Sequence, residues 1–249
     1  MERIKFSAVA SKAALCQVLV DDSRYHKIVL EIGFSNARDT CGIWFEQPKR
    51  DKWLFYFDEA IEAVVDEITN ATDLGKEVVL FIEAPLSVYF ECARPKARHW
   101  RRGSLSCGEG RNGWYYGAGA VLFTGAFTLL KRLQQRFSLA SQNDNKIVVH
   151  LVEIFSSNKG NRFPYCDGCE ARAIYESLKS AIKTQQIVES KDFTVWLPVS
   201  IGVGSELISS VVFNRLDGGN SLDCPVIVNM DWDSLIASRA RYPKGECCI

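Results

Sequence analysis

The sequence has no net charge to offer a partner: thirty basic side chains balance thirty acidic ones in 249 residues. A polyanion meets no global attraction, so only a local cluster of basic residues could hold one. Long apolar runs are missing too. No stretch approaches the ~18 consecutive apolar residues of a membrane span, so no membrane partner is expected. Lys12 interrupts a mildly apolar N-terminal stretch and no small-residue cleavage site follows, which argues against a signal peptide. The terminal Cys247-Cys248-Ile249 lacks the cysteine four from the end that prenylation needs. There is no GxxxxGK[ST] loop for phosphates and no Gly-x-Ser-x-Gly elbow for a serine nucleophile. The three histidines lack partners by spacing, and His150, in the middle of an apolar run, reads as a core histidine. Internal repeats and low-complexity linkers are absent, which predicts a single domain over 1–249, with a core at about 27–183 and a less regular C-terminal extension at 184–249.

Cysteine, by contrast, is plentiful. Nine cysteines at scattered spacings, an odd number, argue against a disulfide framework. Most read as reduced thiols of a cytoplasmic protein. Cys166-x-x-Cys169 is half of a zinc site or a redox pair at a helix N-terminus. No second pair completes a zinc site, and a structural role is the competing reading. At 47% hydrophobic residues the chain can bury a sizeable core without metal or disulfide.

The pattern is organised around residues 78–87, VVLFIEAPLS. Five apolar residues are followed by Glu83 and then by Pro85. Such a run reads as a strand buried on both faces, and the proline cannot continue the ladder. Residues 27–33, KIVLEIG, put Glu31 late in a similar run, and residues 146–155, KIVVHLVEIF, do the same with Glu153. Parallel strands would bring the three glutamates to one edge, where open α/β sheets bind ligands. Between these runs, 40–46 reads as a strand forming a hairpin with the first, and 53–57 can add another. Residues 58–70 have helical spacing, with Ile61, Val64, Val65 and Ile68 on one stripe and Gly75 as the stop. Helices are expected at 115–137, 168–183 and 205–213, strands at 193–199 and 225–229, and a further helix from Asp231. Residues 1–26 fit either a helix or an edge strand.

Clustered carboxylates at a strand edge bind hard divalent cations such as Mg2+ or Mn2+. Two such ions can activate a water and stabilise a leaving oxygen in phosphodiester cleavage. The fourth acid is expected after the Glu153 strand. Asp167 is preferred and Glu170, three residues on and on the same helix face, comes second. A solvated strand-end carboxylate is the competing reading of each glutamate.

These stretches together resemble the ribonuclease H-like superfamily, and more narrowly its poorly characterised family of predicted nucleases. The matching residues are Glu31-Ile32-Gly33 with Gly42-Ile43-Trp44, then Ile82-Glu83-Ala84-Pro85-Leu86, Val152-Glu153-Ile154-Phe155 and Asp167-Gly168-Cys169-Glu170-Ala171. The resemblance covers roughly 27–183. It implies an α/β fold with a mixed sheet, three antiparallel strands followed by parallel ones, and helices on both faces. It also implies a metal-dependent nuclease or phosphodiesterase with Glu31, Glu83, Glu153 and Asp167 as catalytic residues, joined by Glu170 as metal ligands. Glu31 and Glu83 stand where that pattern has aspartate, and Phe155 stands where it has histidine. An inactive, partner-binding relative and a phosphotransferase of the actin-like branch are the alternatives.

The long segment at 89–114 carries Arg94, Lys96, Arg98, Arg101, Arg102 and Arg111, with Trp100 among them. Arg98, Arg101 and Arg102 are the candidates for gripping nucleic-acid phosphates, with aromatics to stack bases. A solvated basic loop is the competing reading.

Overall fold

The apolar run before Glu83 becomes a central strand because nothing along it can face water. In the computed structural model, which describes residues 4–33, 41–46, 54–84, 86, 118–140, 147–157, 167–183, 186–187, 193–196 and 226–231, Val78 to Ile82 are completely buried. The element order is β1 (Ile4–Ala8), α1 (Lys12–Val20), β2 (Tyr25–Glu31), β3 (Cys41–Phe45), β4 (Leu54–Phe55), α2 (Phe57–Asp73) and β5 (Glu77–Glu83). Then follow α3 (Ala118–Ala140), β6 (Ile147–Ser157), α4 (Asp167–Ser180), β7 (Ile182–Lys183), β8 (Gln186–Ile187), β9 (Phe193–Trp196) and β10 (Ile227–Asp231).

Eight strands form one mixed sheet in the order β4-β3-β2-β5-β6-β10-β9, with β1 also on β6, while β7 and β8 pair separately. β2 and β3 are antiparallel, as are β3 and β4 and β9 and β10. The β2–β5 and β5–β6 pairs are parallel. β1 and β10 share the outer edge of β6 end to end, since Ile4–Ala8 pair with residues 147–151 and Ile227–Asp231 with 153–157. At the junction Val226 N donates to Val9 O at 2.7 Å, so the long β6 leaves no gap in the ladder there.

Alternation divides the core in two. Ile28, Leu30, Leu80, Ile82, Val149 and Leu151 face one layer, packed with Ile61, Val64 and Ile68 of α2 and Leu129 and Leu133 of α3. Val29, Phe81, Val152 and Ile154 face the other, packed with Leu15 and Leu19 of α1 and Ile174 and Leu178 of α4. The expected stripe of α2 is thus its buried face. The helix starts where Glu59 accepts from Tyr56 N at 3.1 Å and stops at Gly75, whose φ of 70° suits a residue without Cβ. Arg132–Asp58 and Arg136–Glu62 tie α3 to α2 on the surface at 2.6 and 2.9 Å.

The N-terminal ambiguity resolves into both elements: strand β1, then α1. Ser11 separates them by accepting from Ala14 N at 3.1 Å, an N-cap hydrogen bond. Asp231 is the last residue of β10, opposite Ser157, and the helix expected from it lies outside the described residues. The helix expected at 205–213 lies outside the described residues. Among those residues no helix is long and apolar enough to cross a membrane.

Candidate metal centre

Two of the expected glutamates meet because their strands pair in register. β2 and β5 run parallel with Glu31 opposite Glu83. Glu31 lies two residues after Val29, and Glu83 two after Phe81. The period of two therefore turns both carboxylates toward the layer that holds α4.

The third acid arrives on α4. Gly42 of β3 pairs with Glu31 of β2. A Cβ on Gly42 would overlap the Asp167 carbonyl and the Gly168 nitrogen, so the first turn of α4 rests directly on the β3 backbone. One turn along, Glu170 reaches the strand ends. One carboxylate oxygen from each of Glu31, Glu83 and Glu170 can be chosen such that all lie within 4.8 Å of one another. The three residues are 2%, 8% and 1% exposed. Two full charges this close cost on the order of 3 kcal/mol per pair at an effective dielectric near 20. A cation held between them would relieve that repulsion.

The donor set suits a hard cation. Such ions take carboxylate oxygens as ligands and complete their shell with water or substrate oxygens, so three carboxylates from the protein are a sufficient donor set.

Glu153 lies elsewhere. It pairs with Ile82 across β5–β6, and so it shares Ile82's face, on the α2 and α3 side of the sheet. Its Oε2 accepts from Leu86 N at 3.1 Å, which ties down the chain just beyond β5. The expectation that strand-end position alone would unite Glu31, Glu83 and Glu153 thus fails on parity. A shift of one residue in register sends a side chain through the sheet.

Asp167, preferred above Glu170 as the fourth acid, is the first residue of α4 and its backbone sits against Gly42. Its carboxylate is not in the group, and Glu170 is. Three residues of helix rise about 4.5 Å, enough to separate them. Arg98, Arg101 and Arg102 lie outside the described residues, as does Cys166. Cys16 and Cys41 are buried thiols outside any disulfide, with the Cys16 thiol pushed up by burial. The expectation of reduced thiols does not extend to Cys169, which is buried and disulfide-bonded.

The opposite edge of the sheet carries compensated charges. Lys27 is wholly buried and pairs with Asp22 and, at 3.3 Å, with Glu46. Lys179, near the end of α4, reaches Asp22 at 2.8 Å. Tyr175 donates to Glu46 at 3.4 Å and stacks on Trp44 with ring centroids 4.0 Å apart. Burial opposes ionisation of Asp22, but the hydrogen bonds from Lys179 and Lys27 outweigh it and pull its pKa down to about 2. Burial pushes Tyr175 up to about 12. His150 is partly buried, with Nε2 2.5 Å from Glu77 Oε2, while Arg24 holds the other Glu77 oxygen at 2.8 Å. His26 and Glu67 form a buried pair at 3.0 Å. The carboxylates at this edge have cationic or imidazole partners.

Comparison with protein-family models, with curated proteins and with solved structures gave no match.

Proposed function

We propose that the protein is a divalent-metal-dependent phosphodiesterase acting on nucleic acid, with Glu31, Glu83 and Glu170 as its Mg2+ or Mn2+ ligands. The observation that carries this reading is the convergence of three nearly buried carboxylates to within 4.8 Å. The architecture around them supports it. An antiparallel unit β2-β3-β4, a helix and the parallel strands β5 and β6 stand in the order β4-β3-β2-β5-β6. That order, with acids on the first and fourth strands of the set and on a later helix, is in keeping with a ribonuclease H-like nuclease.

A bound cation would supply Lewis-acid activation of water and charge stabilisation at the leaving oxygen. The chain's own residues do the rest. β2 and β5 hold two ligands on hydrogen-bonded backbone that cannot shift independently. α4 brings the third from the layer above. Surrounding side chains exclude bulk water, which strengthens each carboxylate's hold on a cation. Glu153 keeps the end of β5 in place through Leu86. For the substrate, the basic segment begins just after Glu83 in the chain, and Arg98, Arg101 and Arg102 are proposed to grip its phosphates.

The test is cleavage of labelled single- and double-stranded DNA and RNA in Mg2+ or Mn2+. The parent should cleave at least one of these, and Glu83→Gln should lose nearly all activity with its fold intact. A parent that binds Mn2+ but leaves every one of these substrates whole would overturn the phosphodiesterase reading.

A further inference from the structure

We infer that Gly42 is a positioning residue for the acidic centre: the bare backbone at this point of β3 is the seat that lets α4 deliver Glu170 to Glu31 and Glu83. The inference rests on the metal-centre reading for its functional meaning, but its geometry stands apart from that reading.

Only glycine leaves enough room at this point of the strand. Gly42 lies in the middle of the ladder, between Glu31 of β2 and Leu54 of β4. Glycine weakens a strand, because it adds backbone entropy and offers no side chain to pack. A strand interior keeps one without loss only where another backbone comes close. Here it does. A Cβ at Gly42 would overlap main-chain atoms of Asp167 and Gly168, which cannot swing aside as a flexible side chain could.

The rest of α4 is fixed against the same strand. Tyr175 stacks on Trp44, two residues along β3 from Gly42. Lys179 is held by Asp22 beyond the other end of the strands. With the middle and the far end of the helix fastened, a side chain at Gly42 can be accommodated only by lifting the first turn. That turn carries Glu170. Glu31 and Glu83 sit on β2 and β5 and do not depend on α4 for their place. Gly42 therefore controls one ligand of three, through the distance between helix and sheet.

The test is a double-mutant cycle of Gly42→Ala and Glu170→Gln, read in two ways. First, Mn2+ binding is measured by titration calorimetry. Each single variant should bind about tenfold more weakly than the parent, and the double variant no more weakly than either single. An alanine that only strained the fold would not reproduce the loss of one particular ligand. Gly42→Ala binding as tightly as the parent, or independent losses multiplying to about a hundredfold in the double variant, would overturn the inference. Second, melting is followed in chelator. Glu170→Gln should raise the melting temperature by about 3 °C in the parent background, from relief of like-charge repulsion. It should change melting by less than about 1 °C once Gly42→Ala has moved Glu170 away. A parent that fails to bind Mn2+ would sink the metal reading alone. The chelator arm then decides: a shift confined to the glycine background supports the seat, and equal shifts in both backgrounds, zero included, overturn it. If Gly42→Ala does not fold, the cycle is run in trimethylamine N-oxide, which favours the compact state. Failure to fold there as well would make Gly42 a requirement of the whole fold and would also overturn the inference.

Discussion

Buried charged side chains in this protein are gathered, not scattered. Lys27 is charged and wholly buried, yet it has two carboxylates beside it. Glu31 and Glu83 face each other across a parallel pair, with Glu170 above them. Removing one charge from such a set relieves repulsion. Glu83→Gln and Glu31→Gln should each melt about 3 °C higher than the parent in chelator, a gain on the order of 1 kcal/mol. In millimolar Mg2+ or Mn2+ the order should reverse, because the parent gains binding energy that the variants have lost. Glu153→Gln is the control. It keeps an oxygen for Leu86 N, so the metal-induced rise should be retained. Glu153→Ala leaves that buried nitrogen without its acceptor and should cost about 1–3 kcal/mol with the metal response again intact. Differential scanning fluorimetry with and without metal reads all four. Loss of the metal response in Glu153→Gln would put this carboxylate back among the ligands.

At the scale of elements, α4 carries the most consequence, because it is the part of the site that β2 and β5 do not fix. It is anchored by Gly42 at its start, by the Trp44–Tyr175 stack in its middle and by Lys179–Asp22 at its end. The last of these gives a pH dependence. The Asp22 pKa falls from 3.8 to about 2 on folding. A depressed carboxylate contributes stability that is fully present above its unfolded pKa and disappears as pH falls through its folded pKa. The contribution should therefore fade between about pH 4 and pH 2. Asp22 is half exposed, so solvent screening reduces it to about 1 kcal/mol. Urea unfolding of the parent and of Asp22→Asn at about pH 5 and about pH 2 tests this. The two proteins should differ in stability at the higher pH and converge at the lower. A constant difference across that range would mean that Asp22 acts through packing alone.

This is also the scale at which the sequence is most readable. The runs at 27–33, 78–82 and 146–155 are legible as buried strands because a chain covered on both faces leaves few polar positions. The α2 stripe is legible because a helix covered on one side keeps the 3.6 period. β1 and α1 are not, because a short strand and a short helix each offer too few positions for either period to show.

Over the whole molecule the balance of charge is even, so any attraction for nucleic acid must be local. Arg98, Arg101 and Arg102 follow the strand that ends in Glu83. Neutralising all three should weaken oligonucleotide binding irrespective of sequence. It should also lower the slope of log affinity against log salt by nearly one unit for each phosphate that is no longer gripped. The metal-induced rise in melting temperature should be unaffected, since arginine does not ligate cations. Binding measured at several salt concentrations, in Ca2+ to suppress cleavage, distinguishes the cases. A triple variant with the parent's affinity and slope would leave the proposed substrate without electrostatic support.

By itself, the sequence determined the three central strands, that a carboxylate follows or closes each of those buried runs, and that Glu170 lies within a turn of Asp167. These are local properties, set by burial period and by chain order. Which carboxylates meet was decided only in three dimensions. Glu31 and Glu83 meet because β2 and β5 pair with those two residues opposite each other. Glu153 is excluded because β6 pairs one residue out of step, with Glu153 opposite Ile82. Glu170 joins them because Gly42 leaves room for a helix to rest on a strand. Register and helix-to-sheet distance are relations between segments far apart in the chain, and no single segment encodes them.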